Sequence, residues 1–462
     1  MQPKPFLIVI VVATIASSGA LAADPIQPTP TTVVLHCGHF FDATTGKLLG
    51  ETTIVTEGKR IKDVKTGHGQ ASGAQTIELG SATCLPGLID SHTHLTSQTS
   101  PTGYTDRFRW NLADYVIRST VYAQRTLEAG FTTVRNVGDS QGESMALRDA
   151  INAGIVPGPR MFTAGKSIGS TGGHADPTDG YRKDLAGDPG PMQGVINGPD
   201  EAWKVVRERY KEGADLIKIM PSGGVLDESA SADNSQMTIE EIKAVVAAAH
   251  DYGFTVAAHA HGAEAIRRAV IGGVDSIEHG TFMDDADIKL MKEHGTWYVP
   301  TIIAGKFVEE KASVPGYYPP QVAAKAKLVG PIIQATAGKA YKAGVKIAFG
   351  TDASVYPHGQ NAREFQYMVE AGMPAAFVLQ AATTHAAELL KKSKDLGTIE
   401  PGKLADVIAV EGNPLEDITL MQKVAFVLKD GVVYKQDGKP AIPVAQAAGP
   451  APLAEGEELL GY

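Results

Sequence analysis

Two patterns of hydrophobic and polar positions follow one another along the chain. Residues 33–85 consist of short runs rich in β-branched and aromatic residues, separated by turns that contain glycine. This pattern is typical of antiparallel strands. The same pattern returns near the C-terminus in "GKLADVIAVEG" and "VAFVLKDGVVYK". We therefore expect residues 33–85 and 386–438 to form the two parts of one small β-sandwich.

The middle of the chain, residues 86–385, alternates apolar runs with amphipathic helical segments. The predicted strands are GLIDSHTHL, TTVRNVG, RMFTAG, LIKIM, TVAAHAH, SIEHG, WYVPT and IAFGTD. One helix between them begins with the capping-box pattern Thr238-x-x-Glu241 and ends at Gly253. Because eight strands alternate with helices, the sequence predicts an α/β fold, a (β/α)8 TIM barrel beside the sandwich.

The two ends of the chain are expected to lie outside this fold. In residues 1–22, the single charge Lys4 precedes the apolar run "FLIVIVVATIA" and an "ALA" motif. This order indicates a signal peptide that is cleaved near Ala22, and hence export to the periplasm or out of the cell. An uncleaved anchor is the alternative. Residues 24–32 read as a Pro/Thr linker, and residues 439–462, rich in Ala, Pro and Glu, as a flexible tail.

The net charge limits the classes of partner, and the cysteine content bears on disulfide formation. The 462 residues carry a formal net charge of -10 and contain no Lys/Arg-rich run. This argues against nucleic acid and, after signal cleavage, against a membrane surface, and leaves a small-molecule substrate. The two cysteines, Cys37 and Cys84, lie in apolar strand-like runs. Export would permit a disulfide, but we expect two buried free thiols.

Polar groups recur where the predicted barrel strands end, and a barrel builds its catalytic site from these ends. Lys218 interrupts the fourth strand, "ADLIKIM". Imidazole and carboxylate groups are ligands of first-row divalent cations, usually zinc. The polar groups at the strand ends, named below, outnumber the four ligands of one tetrahedral zinc. The pattern therefore favours a pair of metals. The other strand ends carry His92 and His94 on the first, His259 and His261 on the fifth, His279 on the sixth and Asp352 on the eighth.

This ordered set resembles the amidohydrolase superfamily. The resemblance includes "LPGLIDSHTH" at the first strand, "GTDA" at the eighth and "GTIEPGKLADVIAV" at the return to the sandwich, and it covers nearly the whole chain after the signal peptide. The order HxH, Lys, His, His, Asp is similar to the binuclear branch, which has a carboxylated lysine. The stretches "IKIMPSGGV" and "AHAHG" are most similar to Xaa-Pro-type metallo-dipeptidases and to ochratoxin-hydrolysing amidases.

The resemblance implies two divalent metal ions, with zinc as the expected metal. His92, His94 and Asp352 would hold one ion. His259 and His279 would hold the other. The superfamily fold that the resemblance implies is a barrel with a flanking β-sandwich, in agreement with the hydrophobic pattern.

The resemblance also gives the buried lysine a role. Lys218 would carry a carbamate derived from carbon dioxide, and this anion would bridge the two metals. Elementary chemistry agrees, because a desolvated lysine has a lowered pKa and offers a neutral amine. An anion between two dications is stabilised.

The implied activity is hydrolysis of an amide bond in dipeptides or N-acyl amino acids, with ochratoxin A as a further candidate substrate. As a hypothesis, a hydroxide that bridges the metals attacks the amide carbonyl. Asp352 accepts the proton and later delivers it to the leaving amine. Members of the family are often homo-oligomers, and the resemblance leaves this state open for the chain.

Three further histidines are candidates for substrate binding. His174 lies in the Gly-rich loop "STGGHADP", within the segment 171–200 that we expect to cover the substrate. His261 is two residues after His259 and should face the same way. His358 lies in "YPHGQN", after the eighth strand. A plain loop or packing role is the alternative for each.

Other functions fit the same residues. A metal pair of this kind would also hydrolyse a lactone, a cyclic amide or a phosphotriester. A mononuclear, deaminase-type site would leave Lys218 without a role. A non-catalytic scaffold would be expected to lack metal ligands, whereas this chain has the full set.

Overall fold

The computed structural model of the protein describes residues 32–69, 74–229 and 231–441. The predicted signal peptide, most of the linker and most of the predicted tail lie outside these residues. Among the helices of the described ranges, none combines the length and the apolar composition that a membrane crossing needs.

The first described segment, from residue 32 onwards, contains strands that belong to two sheets. They are β1 (Thr32–Cys37), β2 (His39–Asp42), β3 (Lys47–Leu49), β4 (Thr52–Glu57), β5 (Arg60–Thr66), β6 (Gln75–Glu78) and β7 (Thr83–Pro86). The C-terminal strands are β15 (Val407–Val410), β16 (Phe426–Lys429), β17 (Val432–Gln436) and β18 (Lys439–Pro440).

The central part of the chain alternates parallel strands with helices. Its strands are β8 (Leu88–Thr93), β9 (Phe131–Asn136), β10 (Arg160–Thr163), β11 (Ile217–Ile219), β12 (Val256–Ala260), β13 (Ser276–His279) and β14 (Trp297–Val299). Its helices are α1 (Gly103–Asp106), α2 (Leu112–Glu128), α3 (Glu143–Asn152), α4 (Lys183–Ala186), α5 (Pro199–Glu212), α6 (Ile239–Asp251), α7 (Ala263–Gly272), α8 (Asp285–His294), α9 (Ile302–Ala312), α10 (Pro320–Ala343), α11 (Arg363–Glu370), α12 (Ala375–Gln380) and α13 (Ala386–Leu389).

Strands from both ends of the chain share one sheet. Its order is β18-β17-β16-β15-β7-β2-β3, and β7 pairs antiparallel with β15 so that Leu85 lies opposite Ile408. The second sheet has the order β5-β4-β1-β6. Leu35 and Ile54 of the second sheet form one buried cluster with Phe426 of the first. Apolar side chains that alternate along the strands therefore hold the two sheets face to face.

The two cysteines form a disulfide, so the expectation of free thiols is wrong. Cys37 ends β1 in one sheet and Cys84 lies in β7 of the other, with their Cα atoms 5.9 Å apart. Both side chains are buried in the cluster between the sheets. Apolar surroundings indicated burial correctly, but the sequence did not show that the two strands face each other.

The central strands form two parallel sheets, β10-β9-β8 and β11-β12-β13-β14. Single parallel pairings extend them: Ile168, after β10, pairs with Ile219 of β11, and Tyr298 of β14 pairs with Ile347. Thr93 of β8 pairs with Ala353. The carboxyl ends of these strands therefore lie beside one another.

The predicted eighth strand, IAFGTD, is not a regular strand. Its pairing to the neighbouring chain segments consists of the single bridges at Ile347 and Ala353 and of scattered hydrogen bonds, such as Asp352 N to His92 O at 2.8 Å. The backbone turns out of extended geometry at Asp352, whose φ is 58°. The segment still ends where prediction placed it, beside β8.

The N-terminal cap of helix α6 was predicted correctly, whereas the start of the C-terminal tail was not. The capping box of α6 is confirmed, because Thr238 Oγ1 accepts a hydrogen bond from Glu241 N at 3.2 Å. The predicted tail begins later than expected, because Lys439 and Pro440 form β18 and pair with β17. The remainder of the predicted tail, beyond residue 441, lies outside the described residues.

Candidate metal centre

The histidine, lysine and aspartate side chains predicted at the strand ends line one cavity. Two groups of ligand atoms each lie within 4.8 Å of one another: one from His92, His279 and Asp352, the other from His259, His261 and His279. The two groups share His279, so the structure brings four of the six predicted ligands, together with His261, into two adjacent clusters. His94, Lys218 and His174 line the same cavity.

A buried ion pair fixes the orientation of His92. Its Nδ1 lies 2.8 Å from Glu278 Oε2, and Glu278 Oε1 accepts a hydrogen bond from Arg135 at 2.7 Å. Burial favours a protonated Glu278, but Arg135 and His92 outweigh it and lower its pKa to about 2. Because the carboxylate only accepts, His92 Nδ1 donates and Nε2 is the nitrogen left for a ligand.

The imidazoles of His94 and His279 are oriented in the same manner. His94 Nδ1 donates to the Gly138 carbonyl at 2.9 Å, and its Nε2 lies 3.3 Å from Asp352 Oδ1. His279 Nδ1 lies 2.8 Å from Thr301 Oγ1. Each ring therefore has one nitrogen engaged with the protein and the other turned to the cavity.

Burial keeps the imidazoles of His92, His261 and His279 neutral. Desolvation, followed by the charge of Lys218, lowers the pKa of His92 to about 4. Burial also lowers the pKa of His261 to about 3 and that of His279 well below the usual value. Neutral imidazole is the form that binds metal.

Three residues at the strand ends adopt a left-handed backbone. The φ values are 69° at His279, 51° at Thr301 and 58° at Asp352. In non-glycine residues this conformation costs roughly 1 kcal/mol each. It turns the side chains of His279 and Asp352 into the cavity as the strands end.

Lys218 is a buried amine without a partner. The side chain is 1% exposed, and its Nζ has no hydrogen-bond partner among the described residues. Desolvation lowers its pKa to about 8, and the charges of Glu278 and Asp352 limit that shift. Two of the cavity's nitrogens, Lys218 Nζ and His92 Nε2, are therefore buried and free to take a ligand.

His174 is held over the cluster by a buried charge relay. His174 Nδ1 lies 2.7 Å from Asp227 Oδ2, and Asp227 Oδ1 lies 2.6 Å from Lys325 Nζ. The His174 ring lies against that of His259, with centroids 4.4 Å apart. At Gly224, a Cβ atom would lie 2.1 Å from His174 Cε1, so glycine leaves room for this ring.

His261 and His358 differ in their relation to the cavity. His261 lines it, and its Nδ1 lies 2.8 Å from Thr281 Oγ1. His358 does not line it: the residue is 4% exposed, its Nε2 donates to the Ser97 carbonyl at 2.7 Å, and its ring stacks on Tyr122. The position of His358 in the chain suggested the site, but its ring lies between the segment after β8 and α2.

Comparison of the chain with known proteins shows its family. Residues 83–435 match the amidohydrolase family. The chain belongs to this family. Ochratoxinase of Aspergillus niger is 32% identical over 375 residues, which are 77% of this chain and 76% of that protein.

Solved structures of this family superpose on most of the chain. A Xaa-Pro dipeptidase with bound methionine in its active site is 50% identical, with a TM-score of 0.85 over 88% of this chain and 100% of that one. A prolidase complexed with N-methylphosphonate-L-proline is 33% identical, with a TM-score of 0.81 over 88% and 100%. The protein is thus an amidohydrolase-family hydrolytic enzyme that acts on carbon–nitrogen bonds.

Several residues that shape the site were not assigned by sequence reasoning. Glu278 stood in "SIEHG" as a carboxylate inside an apolar strand, which was a usable signal for a buried partner. Arg135 gave the same signal in "TTVRNVG". The sequence contains no comparable signal for Asp227 and Lys325, because they are 98 residues apart and meet only in the folded chain.

Proposed function

We propose that the protein is a binuclear, zinc-dependent amidase that cleaves the peptide-like bond of dipeptides or N-acyl amino acids. The observation that carries this proposal is the buried, unpartnered Nζ of Lys218 in the same cavity as the two ligand clusters. The bound methionine and the proline phosphonate of the solved relatives support amino-acid substrates. The similarity to ochratoxinase makes ochratoxin A a further candidate substrate.

The side chains of the cavity fit a metal pair. Neutral imidazoles and a carboxylate are a zinc donor set, and the unpartnered Nε2 of His92 is a free donor atom. We assign His92, His94 and Asp352 to one ion. His259 and His279 would hold the other.

Lys218 fits the bridging position as a carbamate. The lowered pKa of its amine provides the neutral form that reacts with carbon dioxide. The carbamate would turn an unpartnered nitrogen into an anion between two cations, which removes the cost of burying a polar group alone.

When bound, two zinc ions would supply Lewis-acid activation of a water nucleophile at neutral pH and polarisation of the scissile carbonyl. The chain supplies the proton transfers. We propose that Asp352, whose Oδ1 lies 3.3 Å from His94 Nε2 and 3.5 Å from His92 Nε2, accepts a proton and returns it to the leaving amine. We also propose that His174, held by Asp227, contacts the substrate.

The proposed architecture is a (β/α)8 barrel with a flanking β-sandwich. The single pairings at Ile168, Ile347 and Ala353 support closure of the two parallel sheets into one barrel. We propose residues 86–385 as the barrel, and residues 33–85 and 386–438 as the sandwich. The disulfide between Cys37 and Cys84 supports export to an oxidising compartment.

The test is a substrate screen of the purified protein reconstituted with zinc and bicarbonate. We expect cleavage of Xaa-Pro and Xaa-Phe dipeptides or N-acyl amino acids, and about two zinc ions per chain. Ochratoxin A, a lactone and a phosphotriester complete the panel. Cleavage of the lactone or the phosphotriester alone would overturn the amidase proposal.

A second test isolates the proton-transfer residue. Asp352→Asn should lower kcat by about a hundredfold to ten-thousandfold, because the amide cannot accept a proton. Metal content measured by atomic emission should remain close to that of the wild type, since the amide oxygen still offers a ligand. Unchanged turnover would remove Asp352 from this role.

A further inference from the structure

The cavity has a second side that consists of apolar side chains. On α9, Ala304 and Val308 are one helical turn apart, and on α10, Val329 and Ile333 have the same spacing. Residues spaced by four share one helix face. Val225, from the loop after β11, joins them. These five side chains are called the inner lobe.

The inner lobe is buried and uncharged. Its side chains are 1% to 8% exposed. Apart from the histidines, the charged groups that line the cavity are Lys218 and Asp352, both on the metal side. A charged substrate group placed against the inner lobe would lose its hydration without gaining a partner.

The size of the cavity limits what the lobe can take. The cavity measures about 210 Å³, below the roughly 300–1,000 Å³ of sites that enclose a drug-sized ligand. A wider cleft of about 820 Å³ adjoins it and shares His94, His174 and Leu226 with it. That cleft is lined by polar and aromatic residues, including Arg107 and Tyr181. A substrate therefore has a polar outer region available and a small apolar space next to the metal side.

We infer that the inner lobe is a specificity site that binds one uncharged, apolar side chain of the substrate, of the leucine or phenylalanine class. The rest of the substrate extends into the outer cleft. Burial of the apolar side chain against α9 and α10 stabilises the complex, and a charged side chain is rejected. This inference rests on the proposed amidase function.

Two variants that change the lobe in opposite directions test the inference. Ala304→Leu fills the lobe, and Ile333→Val enlarges it. Against dipeptides varied separately at each position, Ala304→Leu should lower kcat/KM for leucine and phenylalanine substrates by about tenfold to two-hundredfold relative to alanine substrates. Ile333→Val should raise the preference for phenylalanine over leucine by about tenfold at the same position.

Glu310→Leu is the matched control, because it adds the same side chain to the exposed face of α9. It should leave the substrate preference unchanged. Thermal unfolding of all variants shows which of them are folded. If wild type cleaves lysine or glutamate substrates at both positions as fast as leucine substrates, or if folded Ala304→Leu and Ile333→Val both keep the wild-type preference, the inference is wrong.

Binding of free amino acids separates this inference from the amidase proposal. By calorimetry with zinc-loaded protein, L-leucine and L-phenylalanine should bind about tenfold more tightly than L-glutamate or L-lysine, and Ala304→Leu should abolish the difference. If the amino acids bind in this order but no amide is cleaved, the inference of a specificity site at the inner lobe is supported and the amidase proposal is refuted. Amide cleavage with equal binding of all four amino acids would refute the lobe alone.

Discussion

At the scale of single residues, the cavity holds two buried polar atoms without partners, Lys218 Nζ and His92 Nε2. A buried polar group without a hydrogen bond costs about 1–3 kcal/mol. The structure surrounds the two atoms with well-satisfied groups, such as the ion pair of Arg135 and Glu278. Lys218 Nζ and His92 Nε2 are thus two unsatisfied atoms at positions where a ligand would bind.

Lys218→Met keeps the length of the side chain and removes the amine. We expect the metal content to fall from about two ions per chain to one or none, because the bridging ligand is lost. The free energy of unfolding of the metal-free variant should equal or exceed that of the wild type, since an unpartnered buried amine is replaced by an apolar group. Metal analysis and urea unfolding measure the two quantities.

Lys292→Met, at an exposed lysine of α8, is the control for the loss of one amine. It should retain the full metal content. A Lys218→Met variant that also retains both metals and full activity would refute the carbamate.

The ion pair between Asp227 and Lys325, which holds His174, predicts that loss of Lys325 lowers kcat. Lys325→Met leaves Asp227 buried without its cation, which destabilises the fold by about 3–5 kcal/mol and frees the His174 ring. A misplaced substrate contact lowers kcat by about a hundredfold. Steady-state kinetics and metal analysis should show a lower kcat with unchanged metal content.

Lys327→Met, on the exposed face of α10, should change neither quantity. A drop in the metal content of Lys325→Met would show that the lysine supports the metal cluster rather than His174.

Residues at the ends of strands could be predicted from the sequence, but their supporting contacts could not. A histidine pair spaced by two on a strand has a fixed relative direction, so His92 and His94 were found from local geometry. Lys325 lies in an alanine-rich helix, and only the packing of α10 on the loop after β11 brings it to Asp227. For His358, the position after the eighth strand predicted a place in the site, but the position of a residue in the sequence does not determine the direction of its ring.

At the scale of secondary-structure elements, a contact between two helices supports the site. Glu364 of α11 accepts hydrogen bonds from the backbone N–H groups of Ile302 and Ile303 at 2.9 and 2.7 Å. These groups form the N-terminus of α9, which otherwise lacks a side-chain cap. Thr301, just before them, contacts His279. The start of α9 is thus fixed from α11 and in turn fixes a candidate ligand.

Glu364 should make stability depend on pH. Burial raises its pKa from 4.5 to about 8, although the two backbone hydrogen bonds oppose the shift. The folded state therefore binds its proton more tightly than the unfolded state. The stability that this contributes is fully present below pH 4.5 and is lost as pH rises through about 8.

Glu364→Gln cannot ionise, so its free energy of unfolding should rise relative to the wild type between pH 5 and pH 9. Urea unfolding at several pH values measures the difference. Glu370→Gln removes the same charge from the exposed end of α11 and should show no such trend. A difference that is constant with pH would mean that Glu364 is ionised in the fold throughout.

The elements were predicted where their patterns are local. The capping box placed the start of α6, and apolar runs placed β8 to β14. The prediction of a regular eighth strand was wrong because the left-handed backbone at Asp352 interrupts the pairing. The hydrophobic pattern carries no information about backbone dihedrals.

At the scale of the whole molecule, the fold depends on contacts between distant parts of the chain. The sheet that joins β7 to β15 brings together residues more than 300 positions apart. Arg160 of β10 extends this connection, because it pairs with Asp406 at 2.6 Å and also with Asp430. The sequence predicted that both ends form strands, but not the register between them.

The disulfide predicts a redox-dependent stability. It closes a span of 47 residues, so removing it in Cys37→Ala/Cys84→Ala should lower the free energy of unfolding by about 4 kcal/mol. The metal content should not change, since the bond lies between the two sheets. Urea unfolding with and without a thiol reductant tests this: the wild type should respond to the reductant and the variant should not.

The left-handed backbone at His279 and Asp352 has a consequence for how such proteins diverge. Each position stores conformational strain that glycine would relieve, yet glycine would remove a candidate metal ligand. A descendant released from selection for catalysis could exchange either residue for glycine and become more stable at once. Loss of activity in this lineage is therefore favoured by folding, and selection for catalysis must act continuously to keep the two ligands.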